Sequence, residues 1–278
     1  MKNAALLTDG YKLDHRRQYP EGTEFVFSNW TPRSNRHMPD ADGVIVFGIQ
    51  YLCKKYLIEY FNEYFFKLPK EKVISDFKRR IDTFLGPNNI GTKHIADLYD
   101  LGYLPIEIKS LPEGYKCPIG VPCMTIINTL PEFFWVTNFL ETIISNVLWL
   151  PMTSATMASL YKKELIRHSK KTGFYNEDAI SFLCHDFSMR GMAGLDASIE
   201  SGMAHLLSFT GSETIPAIEA LEEYYNANAE NELIAGTVPA TEHSVACACT
   251  MGTDIEDIIL ENNEIIGYVD KNGKQIMF

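Results

Sequence analysis

The sequence predicts an α/β protein, and three observations carry that prediction. A chain of 278 residues that is 46% hydrophobic and 12% aromatic can bury a core of domain size. After Lys171 the pattern alternates strand and helix, which calls for parallel pairing. Before it, short β-rich runs bounded by Pro and Gly are interleaved with segments of helical spacing.

Taken in order, residues 23–29 (TEFVFSN) and 43–47 (GVIVF) read as strands. Residues 49–68 carry Tyr51, Leu52, Tyr56, Tyr60 and Phe61 at helical spacing. Residues 106–109 and 123–128 read as strands around the turn signals Pro112-Glu113-Gly114 and Pro118-Ile119-Gly120. Two helices, 133–148 and 154–170, are expected on either side of Pro151. Beyond Lys171, 179–187 reads as a buried strand, 195–206 as a helix, 207–209 as a short strand, 214–226 as a helix and 233–238 as a strand. Residues 258–260, 264–269 and 274–278 then read as a small meander with turns at 261–263 and 270–273.

Composition excludes several classes. The apolar stretch 124–152 is broken by Pro131, Glu132, Asn138, Glu141 and Asn146, leaving no unbroken run of about 18 apolar residues. The opening MKNAALLTDG lacks the apolar region of a secretory signal. Six cysteines, at positions 53, 117, 123, 184, 247 and 249, show no CxxC pairing and point to a reduced, cytoplasmic protein. The net charge of −11 is uneven: residues 1–190 hold 23 Lys and Arg against 21 Asp and Glu, whereas residues 191–278 hold 2 against 15. Such a surface repels a nucleic-acid backbone. GxxxxGK[ST], GxGxxG after a strand, HExxH and GxSxG are absent, against P-loop kinases, dinucleotide-binding dehydrogenases, zinc proteases and Ser hydrolases.

In parallel α/β architecture, reactive groups gather at the C-terminal ends of strands. Those ends are HDFSMRG (185–191), TGSE (210–213) and TVPATEHS (237–244). Phe187 offers a flat ring and Arg190 a forked donor three residues on. Glu213 adds an acceptor that takes a bond from an amide NH₂ and repels a carboxylate. Together they would favour an uncharged aromatic carboxamide over its acid; the competing reading is an Arg–Glu ion pair with Phe187 in the core. His243 can be a proton carrier, a phosphoryl acceptor or a hydrogen-bonded loop histidine. Neither His185-Asp186 nor His243 with Cys247 and Cys249 shows a recognised metal-ligand spacing.

At this point the strings resemble the nicotinamide phosphoribosyltransferase family. The matching stretches are Thr8-Asp9-Gly10-Tyr11-Lys12 with His15 and Gln18-Tyr19-Pro20, then LPIEIK (104–109) with Pro112-Glu113-Gly114, then HDFSMRG, FTGSET and TVPATEHS in order. The similarity runs from about residue 3 to residue 248. It implies an α+β N-terminal domain (1–171) followed by the first strands of an irregular (β/α) barrel of the type II phosphoribosyltransferase kind (172–248), used as a homodimer. The implied reaction moves phosphoribosyl from phosphoribosyl pyrophosphate to nicotinamide, with Mg²⁺ carried on the pyrophosphate and ATP as an activator.

Residue by residue, the resemblance implies that Phe187 stacks on one face of the pyridine and Tyr11 of the other subunit on the opposite face. Arg190 would bond the carboxamide oxygen and Glu213 its NH₂. Asp9 shares the N-terminal loop, and Thr237 and Val238 would line the ring pocket. Arg33 would reach a phosphate across the dimer, and His243 would be the phosphorylated histidine. Two departures stand out: Glu213 replaces the family's usual Asp, and the family continues well beyond TVPATEHS. A nicotinate phosphoribosyltransferase and an inactive nicotinamide-binding module remain the competing readings. From Cys249 on the text resembles the start of an intein, implying a split-intein fragment (249–278) and a second chain; a diverged terminus competes.

Overall fold

The computed structural model describes residues 2–252, 255–261 and 264–277. Two compact units emerge, residues 1–236 and 237–278. The first begins with 3₁₀ turns at Ala4–Leu6 and Gly10–Gln18. Its strands are β1 (Phe27–Trp30), β2 (Gly43–Ile45), β3 (Ile106–Ser110), β4 (Lys116–Pro118) and β5 (Met124–Asn128). β1, β5 and β3 form an antiparallel sheet in that order, with Ile126 opposite both Ser28 and Ile108, and β2 pairs with β4. Along β5, Met124, Ile126 and Asn128 face inward, the period of two that buries one side of a sheet. Buried Asn128 is satisfied by donating to Glu24 O and Leu130 O and accepting from Val26 N.

The expected helix from residue 49 is α1 (Ile49–Tyr51) continuing as π-helix through Leu52–Tyr60 and Asn62–Phe66. Tyr51, Leu52 and Phe61 are buried as the spacing predicts. α2 (Lys70–Leu85) and α3 (Lys93–Leu101) were not read from the sequence. Their signal is Val73, Phe77 and Ile81 one turn apart on α2 and Gly102 closing α3 in the left-handed region.

After the short α4 (Val136–Phe139), α5 runs unbroken from Glu141 to Thr172, so Pro151 does not separate two helices. Thr153 and Thr156 return their hydroxyls to the carbonyls of Trp149 and Met152. The proline ring packs on Gly48, where a Cβ would meet Pro151 Cγ at 2.7 Å and where φ is +92°. Tertiary packing thus overrides the usual effect of an interior proline. By length and hydropathy α5 is apolar enough to cross a membrane, yet 56% of its most apolar window is buried inside the protein.

Beyond α5 the helices are α6 (Glu177–Ser181), α7 (Ser188–Gly191), α8 (Leu195–His205) and α9 (Ile215–Tyr225). α8 and α9 fall where the periodicity put them. The strands at 179–187, 207–209 and 233–238 do not form as such: α6 takes the first, and parallel pairing shrinks to the bridges Asp186↔Ser212 and Gly211↔Gly236. The order and direction of a βαβαβ unit survive, compressed to single ladder rungs. In the second unit, α10 (His243–Gly252) precedes an antiparallel meander of β6 (Ile255–Glu261), β7 (Glu264–Asp270) and β8 (Gln275–Met277). Its last turn is set by Asp270 Oδ1, which accepts from Asn272 N and Lys274 N, with Gly273 at φ +75°.

Candidate active site

The loop 185–191 is fixed by Asp186, 7% exposed, whose carboxylate accepts from the backbone N and hydroxyl of Ser188 through Oδ1 and from Ser212 Oγ (3.1 Å) through Oδ2. An acid bonding the N–H two residues on is an Asx turn, and Ser212 Oγ accepting from Thr214 N (3.0 Å) is its serine counterpart. Both motifs are legible in Asp-Phe-Ser and Ser-Glu-Thr. The backbone adds Asp186 N donating to Gly211 O (3.1 Å) and Glu213 N donating to Asp186 O (2.9 Å). Phe187 and Glu213 are thereby carried on adjoining strands of backbone.

On this base four side chains form a run. The Arg190 guanidinium lies over the Phe187 ring at 5.2 Å, a cation–π distance. The His185 ring is 5.9 Å from that of Phe187. His185 Nε2 stands 3.1 Å from Glu213 Oε1, an ion-pair distance without hydrogen-bond alignment. Phe187 is 46% exposed, which excludes the competing reading that buried it in the core. The acid's close partner is His185, not Arg190, so that reading's ion pair is also displaced. His185 was singled out earlier only as a metal ligand; its place depends on Gly211, where a Cβ would lie 2.6 Å from His185 Nδ1. Burial lowers the pKa of neighbouring His205, whose Nε2 lies 3.0 Å from Cys184 O.

Of the remaining predicted residues, Asp9, Tyr11 and Arg33 sit on other segments of the first unit. Asp9 accepts from Thr142 Oγ1 (2.9 Å) and returns its own N–H to that hydroxyl, anchoring the first loop to α5. Tyr11, 60% exposed, contacts the His15 ring and lies near Lys12 Nζ; among the described residues it has no ring contact with Phe187. Arg33 is exposed in the loop after β1. Thr237, Val238 and His243 belong to the second unit, all three exposed, with His243 opening α10. Cys249 lies within α10. Among the described residues no three of His, Cys, Asp and Glu gather as a metal cluster. A cleft of about 400 Å³ lined by Phe27, Asn29, Trp30, Asn138 and Glu141 contains none of the predicted residues.

Comparison with known proteins gives this arrangement a context. Residues 3–108 match the family described as nicotinamide phosphoribosyltransferase, N-terminal domain. Residues 182–268 match the nicotinate phosphoribosyltransferase (NAPRTase) family, so similarity continues past the expected end at 248. Proteins named nicotinamide phosphoribosyltransferase from Acinetobacter baylyi and Xanthomonas campestris pv. campestris are 47% and 32% identical over 252 and 246 residues. The alignments cover 89% and 88% of this chain but 49% and 48% of theirs, so the chain spans about half the length of the curated relatives it matches. The crystal structure of human nicotinic acid phosphoribosyltransferase matches at TM-score 0.57 and 16% identity, over 91% of this chain and 42% of that one; it shares the fold. By sequence, the chain is a homologue of the nicotinamide phosphoribosyltransferases that matches about half of their length.

Proposed function

We propose that the chain carries the pyridine-recognising part of a nicotinamide phosphoribosyltransferase. That enzyme transfers phosphoribosyl from phosphoribosyl pyrophosphate to nicotinamide, giving nicotinamide mononucleotide and pyrophosphate in NAD biosynthesis. The observation that carries this is the run Arg190, Phe187, His185, Glu213: a cation, an exposed flat ring and an acid on two adjoining loops. The pyridine would stack on the exposed Phe187 ring where the Arg190 guanidinium now lies, with that side chain swung to the ligand's edge. Arg190 would donate to the carboxamide oxygen and Glu213 would accept from its NH₂.

The chemistry asks little more of these residues. Loss of pyrophosphate builds positive charge on the ribose carbon, and the attacking ring nitrogen is neutral and already basic. No general base is needed, and holding the ring in line is the main contribution. Mg²⁺ enters this reading as part of the pyrophosphate substrate. The described residues show no carboxylate cluster fitted to hold it.

The rest of the proposal rests on the sequence resemblance. Residues 1–171 would be the α+β N-terminal domain and 172–248 the opening strands of the barrel, in a cytoplasmic homodimer. Asp9 would stand in the N-terminal substrate loop, Tyr11 would stack across the dimer and Arg33 would reach a phosphate. Thr237 and Val238 would be ring-binding residues, and His243 the phosphoryl acceptor when ATP activates. The remaining half of the enzyme would be supplied by a second chain.

Calorimetry on the chain tests the core of this. Nicotinamide is expected to bind more tightly than nicotinic acid, and Phe187→Ala to weaken it by about 1–3 kcal/mol, the scale of ring stacking on an aromatic side chain. Preference for the acid would instead favour the nicotinate enzyme, and binding without turnover in the assembled protein would favour an inactive nicotinamide-binding module.

A second reading concerns residues 249–278 as a split-intein fragment, favoured by a meander whose described strands pair with one another. Cys249 Sγ would attack the Ala248 carbonyl, forming a thioester and freeing the cysteine amine. The Ala248–Cys249 bond inside α10 and the family match reaching residue 268 count against it. Co-expression with the partner should release the tail and join residues 1–248 to the partner's segment through a new peptide bond, seen by mass spectrometry; an unchanged mass for both the wild type and Cys249→Ala rejects splicing.

A further inference from the structure

We propose that Asp186 is the positioning residue of this site, locking the 185–191 and 210–214 loops so that Phe187, Arg190 and Glu213 present one binding surface. The inference rests on the nicotinamide reading for its ligand, but its structural part stands separately. Among the described residues, each hydrogen bond of Asp186 joins the two loops or shapes one of them. Its amide and carbonyl bond Gly211 O and Glu213 N, and its carboxylate bonds Ser188 and Ser212.

The Asp186 carboxylate accepts from both serine hydroxyls, which orders the bonds around it. Ser188 Oγ also lies 3.1 Å from Ser201 Oγ on α8, and Ser201 Oγ 3.2 Å from Ser154 Oγ on α5. Ser212, having donated, accepts from Thr214 N, and Thr214 Oγ1 in turn accepts from Met189 N at 3.2 Å. The last bond returns to the first loop beside Arg190, closing a ring of hydrogen bonds through both loops. A buried network of this kind holds its geometry only while every member is satisfied. Asp186, Ser188, Ser212 and Thr214 are buried, so Asp186 acts through Phe187, Arg190 and Glu213, not by touching substrate.

The test compares Asp186→Ala, Asp186→Asn and Ser212→Ala in the whole chain. Amide hydrogen exchange is expected to speed at least tenfold at Ser188, Met189 and Thr214 in Asp186→Ala, less in Asp186→Asn, with α2 and α3 unchanged. Nicotinamide affinity should fall at least tenfold, and its preference over nicotinic acid should shrink toward unity, with Asp186→Asn between the extremes. Should Asp186→Ala fail to fold, Ser212→Ala carries the same expectations at smaller size. A lowered Tm with unchanged pyridine preference, or exchange that speeds equally throughout α8 and α9, overturns the proposal. If the wild type binds neither pyridine, the nicotinamide reading fails, while exchange at the three loop amides still decides whether Asp186 holds them.

Discussion

In the helical block around α2 and α3, Phe61, Phe65, Phe77 and Ile81 are almost inaccessible, with Phe65 5.7 Å from Tyr99 and Phe77 5.8 Å from His94. In the loops between α6 and α9 the buried side chains are, Phe209 apart, polar: Asp186, Ser188, Ser212 and Thr214, while Phe187 and Met189 are exposed. The polarity is inverted between the two regions. Apolar contact is non-directional and scales with area, so the block supplies stability without fixing any one side chain. Hydrogen bonds are directional and contribute little net stability. What the loops gain is orientation of a few exposed groups. The contrast teaches that stability and site geometry are held by different residues and can be altered separately.

The largest expected effect probes the first region. Phe77 is fully buried, and Phe77→Ala should destabilise the protein by about 3–5 kcal/mol through lost burial and the cavity left behind. Denaturant unfolding measures this. Wherever the variant remains folded, exchange at Ser188 and Thr214 should match the wild type. A parallel loss of protection there would mean that the block and the loops share one cooperative unit, and the separation drawn above would break.

The same inversion explains what could be read from the sequence. Elements whose faces bury apolar side chains declared themselves: the helix from residue 49, α8, α9 and the strands β2, β3 and β5 lie within a few residues of expectation. α2 carries an equally clear pattern and was simply passed over. The error at Pro151 came from a long-range partner, Gly48, that no local window contains. The supposed strand at 179–187 mixes Ile180, Phe182 and Leu183 with a capping Asn176 whose side chain accepts from Ala179 N, and the cap decides for helix. In the loops, Phe187, Arg190 and Glu213 were legible as chemical types, and the structure brings Phe187 to Arg190 directly. The role of His185 as the partner of Glu213 was not, because the pairing spans two loops and depends on a glycine between them. The serines were unremarkable in composition, although their spacing from Asp186 and Thr214 carries a recognisable turn signature.

A pH-dependent effect is expected where the two regions meet. Glu200 on α8 is buried, and near it Asp196 pairs with Lys55 at 2.8 Å, while Lys55 also reaches Tyr51 Oη at 2.5 Å. Burial pushes the Glu200 carboxyl up to about 8, with Asp196 acting in the same direction and Lys55 opposing. The folded protein therefore keeps a proton that the unfolded chain releases near pH 4.5. Folding takes up that proton throughout the interval, so the contribution of Glu200 is full below about pH 4.5 and is lost as pH rises toward 8. The slope is at most about 1.4 kcal/mol per pH unit. Glu200→Gln keeps the shape of the neutral acid without the titration. It should match the wild type near pH 4.5 and exceed it in stability at pH 8, measured by denaturant midpoints across that range. Identical pH slopes in the two proteins would show that the acid is ionised in place and held by Lys55, making the joint an ion-pair network instead of an extension of the apolar block.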